Sequence, residues 1–248
     1  MKFSIIIPAH NEETSVPEAV RALLRQTAPR ETYEIIVVDN NSTDCTADAA
    51  KQAGADKVVF EKEPGTNIAR QTGFLASTGE IVAFLDADCI PPINWLEHIE
   101  RDFKKTGAML VSGTYDYGFK NPFVRWFTVL YTNVLSAHAD KIFPFLFGKK
   151  AGVIVEGNFA AYRTAILKIG GLPPLKFWGD GAAVAMLVSR RVGRVYFDPT
   201  LIVKSSPRRF KDEGTFSVVA RYVWAYLRVY FKNEEEWMRL NRESEKIV

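Results

Sequence analysis

Asp86-Ala87-Asp88 follows directly on the apolar run Ile81-Val82-Ala83-Phe84-Leu85, so two carboxylates surface where a buried strand reaches the carboxyl edge of its sheet. Open α/β folds bind their ligands at that edge. Side chains at i and i+2 point the same way if the strand continues, and both still converge on one hard cation if the chain turns at Ala87. Either geometry suits a divalent metal, Mn2+ or Mg2+, holding phosphate, with Asp88 the stronger ligand and Asp86 turned toward a nucleotide. Taken alone, the pair is better explained as solvated acids on a strand end. It is not alone: Pro8-Ala9-His10-Asn11-Glu12 follows the first apolar strand, Asp39 ends the second, and Arg70 lies in the third helical segment. Asp39 has the acceptor oxygens for a base or ribose, His10 a ring to pack on the base, and Arg70 a fork for a phosphate. Glu12 reaches base or ribose, or serves as a first-turn acid favoured by the helix dipole.

The elements that must bring these residues together read as a βα repeat. Apolar strands are expected at Phe3 to Pro8, Tyr33 to Val38, Lys57 to Phe60 and Ile81 to Leu85. Helical patterns lie between them at Glu13 to Gln26, Thr43 to Gly54 and Thr66 to Ser77. The implied fold class is α/β, with a mostly parallel central sheet flanked by helices, which places the polar loops on one rim. Beyond Pro91-Pro92 the alternation ends: Trp95 to Lys105 reads as a helix and Met109 to Tyr115 as a strand, followed by an aromatic insertion from Phe123 to Phe147. Val155 to Arg163 reads as a strand, Thr164 to Ile169 and Gly181 to Val192 as helices, and Val195 to Phe197 and Leu201 to Val203 as two late strands. The expected divisions are a nucleotide-binding half over 1–115, an acceptor-side half over 116–205, and a C-terminal amphipathic helical extension over 206–248.

At 248 residues and 47% apolar content the chain buries a full core. A net charge of +3, from 32 basic and 29 acidic residues, gives no overall field for a nucleic acid. Cys45 and Cys89 lack C-x-x-C spacing, which excludes a disulfide framework or a cysteine zinc site and fits a reducing, cytoplasmic setting. The first residues run straight into a strand, with no signal-like apolar region. Charges at Arg125, His138, Asp140 and Lys141, and at Arg221 and Arg228, interrupt the two most apolar stretches, so neither reads as a membrane span. Phe216 to Lys232 nevertheless carries a wide aromatic face beside Arg221, Arg228 and Lys232, and Lys204 to Lys232 holds seven cations against Asp212 and Glu213. That pattern fits peripheral contact with an anionic membrane at its cytoplasmic face, and equally a helix docked on the domain. The aromatic insertion, with Trp126, Phe127, Tyr131, Phe143, Phe145 and Phe147, could lie beside it.

The chain resembles the inverting family 2 glycosyltransferases of the GT-A (nucleotide-diphospho-sugar transferase) fold. The matching segments are S-I-I-I-P-A-H-N-E-E, E-I-I-V-V-D-N-N-S-T-D-C-T, G-T-N-I-A-R-Q-T-G-F, G-E-I-V-A-F-L-D-A-D-C-I-P-P-I-N-W-L, E-G-N-F-A-A-Y-R-T-A-I-L-K-I-G-G-L and V-G-R-V-Y-F-D-P, in the family's order from Ser4 to about Pro199. The resemblance implies a nucleotide diphosphate sugar donor, a divalent metal on the D-x-D, and single displacement with inversion at the anomeric carbon. It places Asp180 at the position of the catalytic base, with Gly179 where the family usually has glutamate. It also places Glu156 and Asn158 in a segment that touches donor sugar or acceptor. Arg208 and Arg209 fall where processive relatives carry Q-x-x-R-W. The glutamine and tryptophan are absent, so polymer synthesis is not implied, and the arginines remain candidates for a diphosphate or a phospholipid headgroup.

The expected activity is transfer of a sugar to a hydroxyl or phosphate acceptor, carbohydrate or lipid-linked. Gly179 makes a catalytically silent donor-binding or membrane scaffold protein the alternative. A sugar-phosphate nucleotidylyltransferase would need a glycine-rich G-x-G-T-R loop after the first strand, which Pro8 to Glu12 lacks.

Overall fold

The computed structural model describes residues 1–119, 137–173 and 179–231. Eight strands form one sheet: β1 (Phe3–Ala9), β2 (Tyr33–Asp39), β3 (Lys57–Phe60), β4 (Ile81–Leu85), β5 (Cys89–Ile90), β6 (Leu110–Asp116), β7 (Asn158–Tyr162) and β8 (Val195–Ser205), in the order β3-β2-β1-β4-β7-β6-β8-β5. The helices are α1 (Val16–Leu24), α2 (Thr46–Ala53), α3 (Thr66–Ala76), α4 (Trp95–Thr106), α5 (Ala137–Phe147), α6 (Arg163–Lys168), α7 (Asp180–Arg191), α8 (Arg208–Glu213) and α9 (Thr215–Phe231), with a 3-10 turn at Arg30–Thr32.

Every residue of β1, β2 and β4 is buried, as strands covered on both faces must be. Side chains alternate between two cores: Phe3, Ile5, Ile7 and Val37 pack with Val20, Leu23, Trp95, Ile99 and Phe103, while Ile6, Val38 and Phe84 pack with Phe74, Val184, Leu187 and Tyr230. The sheet therefore lies between α1, α2 and α4 on one side and α3, α7 and α9 on the other.

The pairing is less uniformly parallel than the repeat implies. β3, β2, β1 and β4 are parallel neighbours, but β7 inserts antiparallel between β4 and β6, β6 and β8 are again parallel, and β5 is antiparallel to β8. The antiparallel strand brings the approach to β7 onto the rim that the parallel strands reach at their ends, because Leu85 pairs with Asn158. The two late strands are a single β8; the irregularity at Asp198 to Thr200 is absorbed by a register shift between Ser112 and Thr114 of β6. The strand expected from Val155 begins only at Asn158, since Glu156-Gly157 forms a turn. Helix α1 starts at Val16, after a turn closed by Glu12 and with proline in its first turn. In the C-terminal extension the described part is α8 and α9. Val218, Ala225, Val229 and Tyr230 of α9 are buried against the domain, so this helix is docked on one face. Trp126, Phe127, Tyr131, Phe177, Trp178 and residues 232–248 lie outside the described residues.

Candidate functional site

Register fixes the rim. Ala9 pairs with Asp39, so His10 and Asn40 leave the sheet side by side, and the Asn40 amide donates to the Ala9 carbonyl at 2.8 Å. The Asn40 carbonyl accepts from His10 Nδ1 at 2.8 Å, setting the ring, while Asn40 Nδ2 donates to the carbonyls of Glu61 and Glu63. Asp39 is buried and its Oδ1 accepts from the Ser42 amide. Asn11, in the left-handed region at φ 55°, accepts from the Thr43 amide and ties the first rim loop to the second.

A cleft of about 550 Å3 opens along this rim, a size suited to a nucleoside diphosphate sugar. Pro8, His10, Glu12, Arg70, Asp86, Ala87, Asp88, Glu156, Arg208 and Arg209 line it. Ala9, Asp39, Asn158 and Asp180 do not, although Asp39 pairs with Ala9 next to His10 and Asp180 contacts Arg70.

Arg70 organises the floor. Its guanidinium is wholly buried, donating from Nη2 to Asp86 Oδ1 at 2.9 Å and from Nη1 toward Asp180 Oδ2 at 3.4 Å. The charges of Asp86, Asp180 and Glu156 outweigh the burial that would push its pKa down, and the group stays cationic. Asp86 Oδ2 accepts from the Tyr115 hydroxyl at 3.0 Å, so both its oxygens are engaged by the protein. The fit depends on Gly157: a Cβ there would stand 2.2 Å from Asp86 Oδ2.

Asp88 is placed differently. Burial, then the neighbouring charges of Asp86 and Glu12, raise its pKa to about 6, and the Cys89 thiol is its weak hydrogen-bond donor at 3.7 Å. A carboxylate among carboxylates, short of strong donors, is the environment a divalent cation relieves. Asp86, Asp88 and Cys89 offer ligand atoms within 4.8 Å of one another. Burial pushes the Cys89 thiol up, which leaves the two hard carboxylates as the fitting ligands for Mn2+ or Mg2+. Glu12 forms an ion pair with Arg208 of α8 at 2.5 Å, joining the first rim loop to the far wall.

Across Arg70 lies a second acidic pair. Asp180 opens α7, and its Oδ1 accepts from the Gly181 amide at 2.9 Å. Glu156 stands beside it: burial, the charge of Asp180 and a hydrogen bond with it push the Glu156 pKa well above the usual carboxylate range. Gly181 makes the approach possible, since a Cβ there would lie 2.4 Å from Glu156 Cγ. Gly179 has a local reason too. It caps α7 at φ 107°, where glycine alone is unstrained, and a Cβ would meet Val229 Cγ2 of α9 at 3.1 Å.

Asn158, which the resemblance places in a donor- or acceptor-side segment, lies behind the cleft lining: its fully buried side chain accepts from Trp95 Nε1 at 2.9 Å and donates to the carbonyls of Thr114 and Leu201. His98 of α4 is half-buried and held by Asp198 at 2.9 Å. Sequence reasoning missed Tyr115, Tyr117, Tyr222 and Tyr226, which give the cleft an aromatic wall. Tyr222 accepts from Arg209 Nη1 at 3.1 Å, fixing that arginine at the cleft.

The fold is shared with solved glycosyltransferases. A mannosyltransferase from Pyrobaculum calidifontis, in complex with GDP-Man and Mn2+, superposes with TM-score 0.72 over 94% of this chain and 65% of its own, at 22% identity. Glucosyl-3-phosphoglycerate synthase from Mycobacterium tuberculosis, with Mn2+, UDP-Glc and phosphoglyceric acid, superposes with TM-score 0.62 over 92% of this chain and 79% of its own, at 20% identity. Among curated proteins, the Haloferax volcanii glycosyltransferase AglE is 37% identical over 123 residues, 48% of this chain and 40% of the relative. An uncharacterized glycosyltransferase of Nostoc sp. is 37% identical over 201 residues, 74% of this chain and 58% of the relative. The chain thus spans about half the length of these curated relatives. The model of Glycosyl transferase family 2 matches residues 4–170, which include the rim from Pro8 to Glu156, and the chain belongs to that family.

Proposed function

We propose that the chain is a divalent-metal-dependent, inverting glycosyltransferase that moves a sugar from a nucleoside diphosphate to a hydroxyl or phosphate acceptor, with a lipid-linked acceptor among the candidates. The observation that carries this reading is Arg70, which holds the donor-side acid Asp86 and the acceptor-side acid Asp180 at opposite ends of one buried guanidinium. The mannosyltransferase and synthase above, which bind nucleotide sugars with Mn2+, support it.

In this reading His10 packs on the base, Asp39 and Glu12 serve base or ribose, and Asp88 with Asp86 holds the metal. When bound, the metal neutralises charge developing on the leaving diphosphate. Arg208 and Arg209 close on the diphosphate from α8, Arg208 exchanging its contact with Glu12 for phosphate. Asp180 takes the acceptor's proton as the acceptor oxygen bonds to the anomeric carbon and the bond to the diphosphate breaks. Glu156, on the cleft side of Asp180, hydrogen-bonds the acceptor and supplies the second acid that position 179 lacks.

A thermal-shift panel of UDP-glucose, UDP-N-acetylglucosamine and GDP-mannose, with and without MnCl2, tests the donor site, since a bound donor stabilises by mass action. Turnover is then read as release of the nucleoside diphosphate. Asp88→Ala is expected to abolish the Mn2+-dependent shift. Asp180→Asn should keep the shift and lose turnover. Full turnover in either variant removes the corresponding role, and tight Mn2+-dependent binding without turnover in the unsubstituted protein would favour the silent scaffold.

A further inference from the structure

Helix α9 has two faces. Val219, Tyr222, Ala225 and Tyr226 look into the cleft, whereas Ser217, Ala220, Arg221, Trp224, Arg228 and Phe231 recur at helical spacing along the opposite, exposed face. Trp224 is 62% exposed, and the Arg228 guanidinium lies over its ring at 5.4 Å.

The tip of α5 extends this face. Phe145 is 88% exposed, and Leu146 and Phe147 follow it to solvent. The tip is pinned in place: the Phe147 ring sits 5.3 Å from Phe231, the Tyr230 hydroxyl donates to the Lys149 carbonyl at 2.8 Å, and Arg190 Nε donates to the Lys150 carbonyl at 2.9 Å. Phe145-Leu146-Phe147-Gly148-Lys149-Lys150 therefore presents three apolar side chains and then two exposed lysines, on a backbone anchored by its own carbonyls.

We propose that this face, the α5 tip together with the outer stripe of α9, docks on the surface of an anionic lipid bilayer. Large exposed apolar groups clustered on one surface mark an interaction site. The charges decide what kind. Among the described residues, from Phe145 to Lys150 and along the α9 stripe the charged ones are Lys149, Lys150, Arg221 and Arg228, all cationic; Arg221 is paired with Glu213 of α8, which leaves the described rim net positive around exposed phenylalanine and tryptophan. Aromatic side chains at headgroup depth, ringed by cations, match an anionic interface. Among the described residues no helix is long and apolar enough to cross a membrane, so the geometry is one of lying on the surface. Docking through this face leaves the cleft on the other side of α9 unobstructed.

The test is co-sedimentation of the full chain with vesicles of phosphatidylcholine containing phosphatidylglycerol, against pure phosphatidylcholine. Binding to the anionic vesicles and its loss in high salt are expected. Lys149→Glu with Lys150→Glu should weaken partition at least about tenfold, and Phe145→Ser with Trp224→Ser should weaken it comparably at unchanged salt dependence. None of these side chains lines the cleft, so the Mn2+-dependent thermal shift with nucleotide sugar serves as the folding control and keeps a failure here separate from a failure of the glycosyl-transfer reading. Absence of binding, equal binding to neutral vesicles, or full retention in both variants overturns the proposal. A concentration-dependent dimer that Phe145→Ser with Trp224→Ser abolishes would reassign the face to contact between copies of the chain.

Discussion

Replacing Arg70 by methionine keeps most of the side-chain volume and removes the buried cation between Asp86 and Asp180. The arginine and Asp180 side chains are 1% and 7% exposed, whereas Asp86 is 34% exposed, so the unpaired charge left at Asp180 dominates the cost. Breaking a buried pair by removing one partner costs about 3–5 kcal/mol, because the remaining charge stays desolvated. A urea titration near neutral pH should therefore show Arg70→Met with its midpoint lowered by that amount at unchanged slope. Asp180→Asn in the same background removes the stranded charge and should restore about half of the loss, which a double-mutant cycle reads directly. A deficit below about 1 kcal/mol, or one that Asp180→Asn leaves unchanged, would refute the view that Arg70 holds the two ends of the site together.

Glu34, despite burial, is held down to about 2 by hydrogen bonds from Ser4, Lys57 and Thr78. Its contribution is complete above the unfolded value and lost as pH falls toward 2, so Glu34→Gln should cost roughly 3 kcal/mol at neutral pH and flatten the acid limb of the stability curve. Burial and the charge of Asp180 penalise the charged form of Glu156, so its neutral isostere in Glu156→Gln should leave stability within about 1 kcal/mol of the parent. Gly181→Ala, which drives a methyl into Glu156, should cost about 1–3 kcal/mol and lower turnover while the donor-dependent thermal shift persists. Asp88 must ionise to take a metal, so Mn2+ affinity in the presence of UDP, measured calorimetrically, should fall about tenfold per pH unit below its pKa of about 6 and level off above it. Equal affinity on both sides of that value would remove Asp88 from the metal site.

What the sequence disclosed and what it hid divide along the range of the interactions. Strands β1, β2 and β4 announce themselves as apolar runs, and the residues that follow them reach the rim by local continuity, which is why His10, Asp86 and Asp88 were legible. The surroundings of Asn158 were hidden because its side chain is engaged by Trp95, Thr114 and Leu201, three partners distant in sequence that meet only once β7 has inserted between β4 and β6. Tyr115 was invisible for the same reason: its hydroxyl reaches Asp86 through a register set by the antiparallel strand between them.

Gly179 is the instructive case. In sequence it is a missing acid and raises the question of a silent protein. In the fold it is a left-handed cap closed over by Val229, two residues before a glycine whose lack of a side chain admits Glu156 to Asp180. An acidic pair has to converge in space, not in sequence. Here the turn before β7 supplies the second carboxyl, and glycine at 181 is the condition for its approach. Gly179, which weakens the sequence argument for an active site, thus stands two residues before Gly181, the glycine that allows a second carboxyl to be delivered from another element.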